Sequence, residues 1–473
     1  MKLNLPITIP VNNYKMSVCV VKLAAVNRAK VIASLAGRSG ILYLKGNDIT
    51  VRKGTDVDNR FRQESNFFYM TGTQEPGFHF TVDLASRQTC MFIPKYSDDH
   101  ALWMGTPPTA AQIQAKYQVD RVLTEDKLAD ALSIADTIHV IASGELLQSS
   151  SDAIAANVHA EKECTEYLAT AIHEARMIKS EAELECMRKA AQISGEAHIA
   201  LMKAVCPGQG SEQELHALFE YTCFKNGAPF QAYEPIVAVG RNGSVLHYVK
   251  NDEKMHADPN QMLLVDAGCE YNMYAADITR VFPLGGKFVG DFKTTYEIVL
   301  DAQKAVLNAL KAGVEWEDMH RLANRTILKG LVAAGLVQGS EEDLTKNHIA
   351  ALFFPHGLGH LIGIDVHDPA GYPAGVPRIQ EPGIKYLRMR RVLQPGMVVT
   401  VEPGMYFVDA ILNPALSDPN ISKYLNVPVV ERFRKHVGGV RIEDDVVILE
   451  NGIENLTGWI PKEIADIEAI MAH

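Results

Sequence analysis

The chain lacks any unbroken apolar run of roughly 18 residues, the length that crosses a bilayer, so a membrane is not an expected partner. It also lacks the apolar core of a secretory signal: Pro6, Pro10, Asn12 and Asn13 break the N-terminal segment, and the cytoplasm is the expected compartment. Cysteine is sparse. The 7 present, Cys19, Cys90, Cys164, Cys186, Cys206, Cys223 and Cys269, are odd in number and show no C-x-x-C spacing, which argues against a disulfide framework or a sulfur-rich zinc site. Reduced thiols acting as small buried apolar groups are expected instead. Basic residues are in deficit, 46 Lys and Arg against 57 Asp and Glu, and a net charge of -11 disfavours nucleic acid or an anionic membrane as the main partner. No glycine-rich phosphate loop supports phosphoester chemistry.

What the chain does contain is a set of ligand-type residues in unusual places. Asp266, Asp277, His360, Glu402 and Glu443 each interrupt or end an otherwise apolar, strand-like stretch. Met262-Leu263-Leu264-Val265 runs into Asp266, Val398-Val399-Thr400-Val401 runs into Glu402, and Glu443 lies between Val440 and Val446-Val447-Ile448. An unpaired carboxylate in such a setting costs several kcal/mol, and a cation is the usual remedy. Four acids and one imidazole form a hard ligand set suited to a pair of Mn, Co or Zn ions. Two divalent ions would cancel the charge of the four carboxylates. Such pairs activate a shared water toward a carbonyl carbon, so hydrolysis is the reaction class implied.

At 473 residues, 47% hydrophobic and 22% charged, the chain has the composition of a soluble globular protein of two domains. The first third mixes an expected helix over 20–35 with expected strands over 41–44 and 88–93, and gathers no ligand-type residues. A charged stretch around 175–185 leads into a different pattern. Ser180 with Glu183 and Ser211 with Glu214 form two capping boxes, each opening a helix, and strands follow over 261–266 and 274–282. The stretch from Pro207-Gly208 to Gly227 is echoed from Ala312-Gly313 to Gly335: a turn, an acidic helix start, a helix, then ligand-bearing strands. Two such halves would gather ligands at their seam.

Spacing suggests how the ligands meet. With a reversal near Glu270-Tyr271-Asn272, Asp266 and Asp277 would oppose each other directly across a hairpin. His356-Gly357-Leu358-Gly359-His360 has the histidine spacing of a zincin helix but lacks its glutamate, and its glycines disfavour a helix. Those glycines are expected to let the backbone pass close to something bulky. His367 adds a third histidine nearby.

The segment from His356 through His367-Asp368, with Leu393-Gln394-Pro395-Gly396, Val401-Glu402-Pro403-Gly404 and Val440-Arg441-Ile442-Glu443-Asp444-Asp445-Val446, resembles the prolidases, the Xaa-Pro dipeptidases among the "pita-bread" metallopeptidases. Phe61-Arg62-Gln63-Glu64-Ser65 and Trp103-Met104-Gly105 extend the resemblance toward the N-terminus. It implies an α/β (α+β) chain: a smaller α/β N-terminal domain like that of aminopeptidase P and creatinase over 1–172, then a catalytic pita-bread domain over 173–473 with two pseudo-twofold halves. By the resemblance, Asp266, Asp277, His360, Glu402 and Glu443 hold two metal ions, usually manganese. It further implies that His247 and His367 contact substrate and steady the tetrahedral intermediate, and that Arg388 binds the terminal carboxylate. Glu402 is the expected proton carrier. Arg441 is expected to orient the ligand carboxylates, the alternative being a surface strand arginine. The family habit of dimerising through the N-terminal domain makes Trp103 the residue expected to reach a neighbouring active site in trans, the alternative being a core aromatic of its own domain.

The expected activity is therefore hydrolysis of Xaa-Pro dipeptides by a homodimer with small peptides as its partners. Rival readings are an Xaa-Pro aminopeptidase acting on longer peptides and a non-enzymatic binding module of the same fold. The second is disfavoured because all five ligand positions are filled.

Overall fold

The structure, a computed structural model, describes residues 18–141 and 162–472; the N-terminal segment that bears on a secretory signal lies outside them. The chain divides into two compact units, Met1–Ala169 and Thr170–His473. No helix among the described residues is long and apolar enough to cross a membrane. Cys90, Cys164, Cys186, Cys206, Cys223 and Cys269 are free thiols.

In the N-terminal unit, α1 (Val18–Ser34) begins two residues before and ends one residue short of the helix expected over 20–35. Strands β1 (Ile41–Lys45), β2 (His79–Asp83), β3 (Thr89–Ile93), β4 (Arg121–Thr124), β5 (Ile138–His139) and β6 (Glu163–Cys164) form one mixed sheet in the order β4-β3-β2-β1-β5-β6. The Phe61-Arg62-Gln63-Glu64-Ser65 stretch has a local structural role. Glu64 caps a fully buried helix, Ser65–Thr71, by accepting from the backbone N–H groups of Asn66 (3.0 Å) and Phe67 (2.6 Å). Gln63 accepts from Asn47 N–H at 2.7 Å and donates to the Glu75 carbonyl at 2.8 Å, tying that helix entry to two loops.

The C-terminal unit runs through one motif twice. A packed helix pair, Glu181–Ala204 and Glu212–Lys225, precedes β7 (Phe230–Gln231), β8 (Ile236–Val239), β9 (Met262–Asp266), β10 (Cys269–Tyr271), β11 (Tyr274–Ala275) and β12 (Thr279–Pro283). A second packed pair, Gly290–Ala309 and Trp316–Ala333, precedes β13 (Val398–Val401), β14 (Gly404–Tyr406), β15 (Gly439–Arg441), β16 (Asp444–Ile448) and β17 (Ile453–Asn455). Gly208 and Gly313, with φ of 71° and 86°, turn the chain into the second helix of each pair, a conformation that suits glycine. The Ser180–Glu183 capping box is complete, whereas Ser211 accepts from Glu214 N–H without a reciprocal bond from the Glu214 side chain to the cap.

The sheets carry the echo further. Antiparallel β8-β9-β12 form one, antiparallel β13-β16-β17 another, and β14 pairs with β15. One continuous apolar core, with Leu263, Val265, Val281, Trp316, Val399, Val401 and Val446 all buried, lies beneath them. β8, β9 and β13 are nearly continuous buried apolar runs, so the carboxylates at the strand ends stand out against an apolar floor.

Candidate metal centre and substrate cavity

Each half of the C-terminal unit delivers two carboxylates at the end of one antiparallel strand pair. In the second half, Val401 pairs with Asp444, so the residues one step beyond, Glu402 and Glu443, emerge side by side where the pair ends. In the first half, Asp266 ends β9, but its partner is Thr279, not Asp277. The expectation that the two aspartates stand directly opposite is therefore corrected. The reversal is centred on Asn272 and Met273, both at positive φ (50° and 65°), with Tyr271 pairing with Tyr274. That places Asp277 diagonally from Asp266 across a break between β11 and β12. The two still meet, because the Tyr233 hydroxyl lies 2.6 Å from Oδ1 of each.

His360 comes from a non-helical segment laid along β13. Thr400 N–H donates to the His360 carbonyl at 2.9 Å and Glu402 N–H to the Leu358 carbonyl at 2.9 Å. This close approach explains the glycines: a Cβ on Gly359 would sit 2.1 Å from the Thr400 carbonyl oxygen, and one on Gly357 would sit 2.8 Å from Leu387 Cα. The His360 Nδ1 lies 3.0 Å from the Leu361 carbonyl, which can only accept, so Nδ1 carries the hydrogen. Nε2 is left facing Asp277 Oδ2 (3.4 Å) and Glu402 Oε1 (3.6 Å). Donor atoms of Asp277, His360 and Glu443 all lie within 4.8 Å of one another.

A second layer of polar groups holds these side chains. Arg441 donates to Asp266 Oδ2 (2.5 Å), Thr279 Oγ1 (2.9 Å) and the Tyr406 hydroxyl (2.7 Å). It is 4% exposed, which settles against a surface strand arginine. Thr279 Oγ1 in turn donates to Glu443 Oε2 at 2.7 Å, and Glu443 N–H donates to the Thr279 carbonyl at 3.1 Å, stitching the two halves together. His356 joins through Nε2 to the Tyr406 hydroxyl (3.0 Å), and its Nδ1 lies 3.7 Å from Glu402 Oε2. Asp445 accepts from Asp277 N–H at 3.0 Å, and its other oxygen is buried with no partner among the described residues.

The electrostatics are those of crowded buried acids. Burial, reinforced by Asp277 and Asp266, pushes Glu402 up to about 7 against the opposing charges of His360 and Arg441. Burial and the neighbouring carboxylates push Glu443 well above its ordinary range. Burial also raises Asp266, even with Arg441 beside it. Asp277 is held low despite its burial, because it pairs with His360, whose imidazole is raised in return. The four acids outnumber the arginine and the imidazole beside them, and an oxygen-rich donor set with one imidazole fits divalent ions. The residues present fit the metal pair expected of them.

All five candidate ligands line one cavity of about 630 Å³, together with His247, His367, Arg388 and Arg441. The His367 ring stands nearly perpendicular to that of His360, centroids 4.5 Å apart. Trp103 belongs to the N-terminal unit, on a short helix His100–Met104, and is 78% exposed, which removes the alternative of a core aromatic. Sequence reasoning gave no role to Tyr233, Thr279, Tyr406 or Asp445. Tyr233 sits in a loop with no periodic pattern, and only the folded register shows that Thr279 faces Asp266.

Residues 185–450 match the model of Metallopeptidase family M24, and residues 24–139 match that of the N-terminal domain of aminopeptidase P. The Homo sapiens Xaa-Pro dipeptidase is 42% identical over 464 residues, spanning 95% of this chain and 93% of its own. A probable Xaa-Pro aminopeptidase from Aspergillus niger is 40% identical, spanning 92% and 93%. Among solved structures, the Pseudomonas aeruginosa aminopeptidase PepP superposes with a TM-score of 0.81 at 32% identity, covering 96% of this chain and 98% of that one. Identity sustained at this level along nearly the whole chain, on a fold whose two halves each end a strand pair in buried acids, makes this protein a pita-bread enzyme belonging to metallopeptidase family M24.

Proposed function

We propose that the protein is an Xaa-Pro dipeptidase that works with two divalent metal ions, manganese foremost and cobalt or zinc as substitutes, and releases C-terminal proline. The observation that carries this reading is the convergence of Asp266, Asp277, His360, Glu402 and Glu443 on one cavity, with His360 Nε2 turned toward two of the acids. The ions, when bound, would supply Lewis acidity and an activated water.

The chain's own residues supply the rest. Glu402 lines the cavity with its Oε1 3.6 Å from His360 Nε2, and is the carboxylate we assign to carry a proton to the leaving proline nitrogen. His247 and His367 reach the same cavity from separate segments, where they would contact the scissile carbonyl and its oxyanion. Arg388 also lines it, exposed toward solvent, and its fork suits the terminal carboxylate of a dipeptide. The X-Pro bond is a tertiary amide without an N–H, so recognition must read ring shape and the two charged ends.

A second reading, an Xaa-Pro aminopeptidase on longer peptides, is favoured by the name of the Aspergillus niger relative. Rates for an X-Pro dipeptide and for a tripeptide with the same first two residues separate the two. A dipeptidase cleaves the first and spares the second; preference for the tripeptide overturns the proposal. We place the enzyme in the cytoplasm as a homodimer. Leu102, Trp103 and Met104, 74%, 78% and 63% exposed, form the apolar surface that would meet a second copy.

A further inference from the structure

A second cavity, of about 190 Å³, lies in the C-terminal unit apart from the metal-ligand set. It is lined by the helix Trp316–Ala333, by residues 344–351 and by the start of the segment that leads to Arg388. Its polar lining is unbalanced. Arg321 and Glu381 form a two-point ion pair, Nη1 to Oε2 at 3.2 Å and Nη2 to Oε1 at 3.4 Å, which neutralises both. Arg325, one turn along, has no ion pair or hydrogen bond among the described residues, and the His348 side chain also lines the cavity. Between the arginines, Asn324 has its side-chain carbonyl oxygen buried with no donor among the described residues. A buried acceptor in that condition is costly unless something completes it. Apolar side chains, Leu328, Leu344 and Ile384 among them, form the remaining wall.

The cavity therefore offers a cation without a partner, an acceptor without a donor, a carboxylate and a greasy wall, within a volume too small for a peptide. We propose that it binds a free α-amino acid with an apolar side chain. The ligand's carboxylate meets Arg325, its ammonium meets Asn324 Oδ1 and Glu381, and its side chain lies on Leu328, Leu344 and Ile384. A plain carboxylate would leave Asn324 Oδ1 unsatisfied, and a plain amine would leave Arg325 unpaired; the zwitterion answers both.

The link to the reaction rests on the dipeptidase reading, in which each turnover yields two free amino acids. Ile384 lines this second cavity, while Tyr386 and Arg388, on the same short stretch, line the substrate cavity. The stretch includes a single 3-10 turn, Ile384–Tyr386, so one short segment borders both cavities. Filling the small one is expected to shift the placement of Arg388 and with it the KM for dipeptides.

Isothermal titration of the metal-loaded protein with L-leucine tests the site without reference to turnover. Leucine should bind wild type and Arg388→Ala alike, and Arg325→Ala and Asn324→Leu should each weaken binding about tenfold or more. Arg325 is exposed, so its replacement leaves the core intact. Acetate and methylamine should each bind far more weakly than leucine. Absence of binding at millimolar leucine, or binding lost in Arg388→Ala but kept in Arg325→Ala, overturns the proposal. A protein that binds leucine through Arg325 yet leaves X-Pro dipeptides intact would instead overturn the functional reading and keep the site. With turnover present, leucine should change KM in wild type and leave Arg325→Ala unaffected; an equal response in both would deny the coupling.

Discussion

Arg441 reaches Asp266 at 2.5 Å and, through Thr279 at 2.9 Å, touches the residue that holds Glu443. One guanidinium thus braces carboxylates from both halves of the C-terminal unit. Its planar fork serves three acceptors at once, which a lysine cannot copy. Replacement by Met leaves Asp266 Oδ2 and the Tyr406 hydroxyl without this donor and removes a buried arginine charge that offsets Asp266, Glu402 and Glu443.

For Arg441→Met, the expected outcome is a loss of divalent-ion affinity of about 10–100-fold, measured by competition with a chelator, the size typical of groups that orient metal ligands. Arg441→Lys should recover only part of it. An Arg441→Met protein that holds its ions as tightly as wild type would show that Asp266 is positioned by Tyr233 alone.

Arg388 makes a different prediction because it lines the cavity without bracing any ligand. Arg388→Ala should raise KM for X-Pro dipeptides about 10–100-fold, the loss of one charged hydrogen-bonded contact, with metal content unchanged. Retained KM would assign the carboxylate to another group.

The raised acids give stability a pH dependence with a defined sign. Glu402 titrates near 4.5 in an unfolded chain and at about 7 in the fold. The unfolded state therefore loses its proton first. The metal-free protein keeps full stability from this group below pH 4.5 and loses it progressively as pH rises to about 7. Glu443 and Asp266 are shifted in the same direction. Bound cations compensate the ionised carboxylates, so the gap in Tm between loaded and chelator-stripped protein should widen from pH 5 to pH 7.5. A gap that stays constant across that interval would contradict the assignment of these acids as ligands.

A dimer built on the exposed Leu102-Trp103-Met104 surface predicts a concentration-dependent dimer in sedimentation. Trp103→Ala should lower kcat/KM while leaving metal content alone. A monomer with full activity would exclude a shared site.

How much of this was legible beforehand varies with the kind of signal. Strand ends that run apolar residues into an acid marked Asp266, Glu402 and Glu443, because burial of a carboxylate violates composition locally. Helix starts were legible where a side chain caps its own backbone, as at Ser180, and half legible at Ser211, whose glutamate does not return the bond. The hairpin register was not. It depends on Met273 at a φ of 65°, a conformation a methionine rarely adopts, and nothing in the local sequence announces it. The glycines of the His356–His360 segment signal a close approach, but its target, the backbone of Thr400 and Leu387, lies across the fold. Tyr233, which joins the two aspartates, is a long-range contact with no periodicity to reveal it.

The central claim is that five side chains from both halves of the domain hold a pair of ions on which the activity depends. Elemental analysis of the fully active purified protein tests it most directly. Two equivalents of divalent metal per chain are predicted, and active protein carrying none would contradict the account.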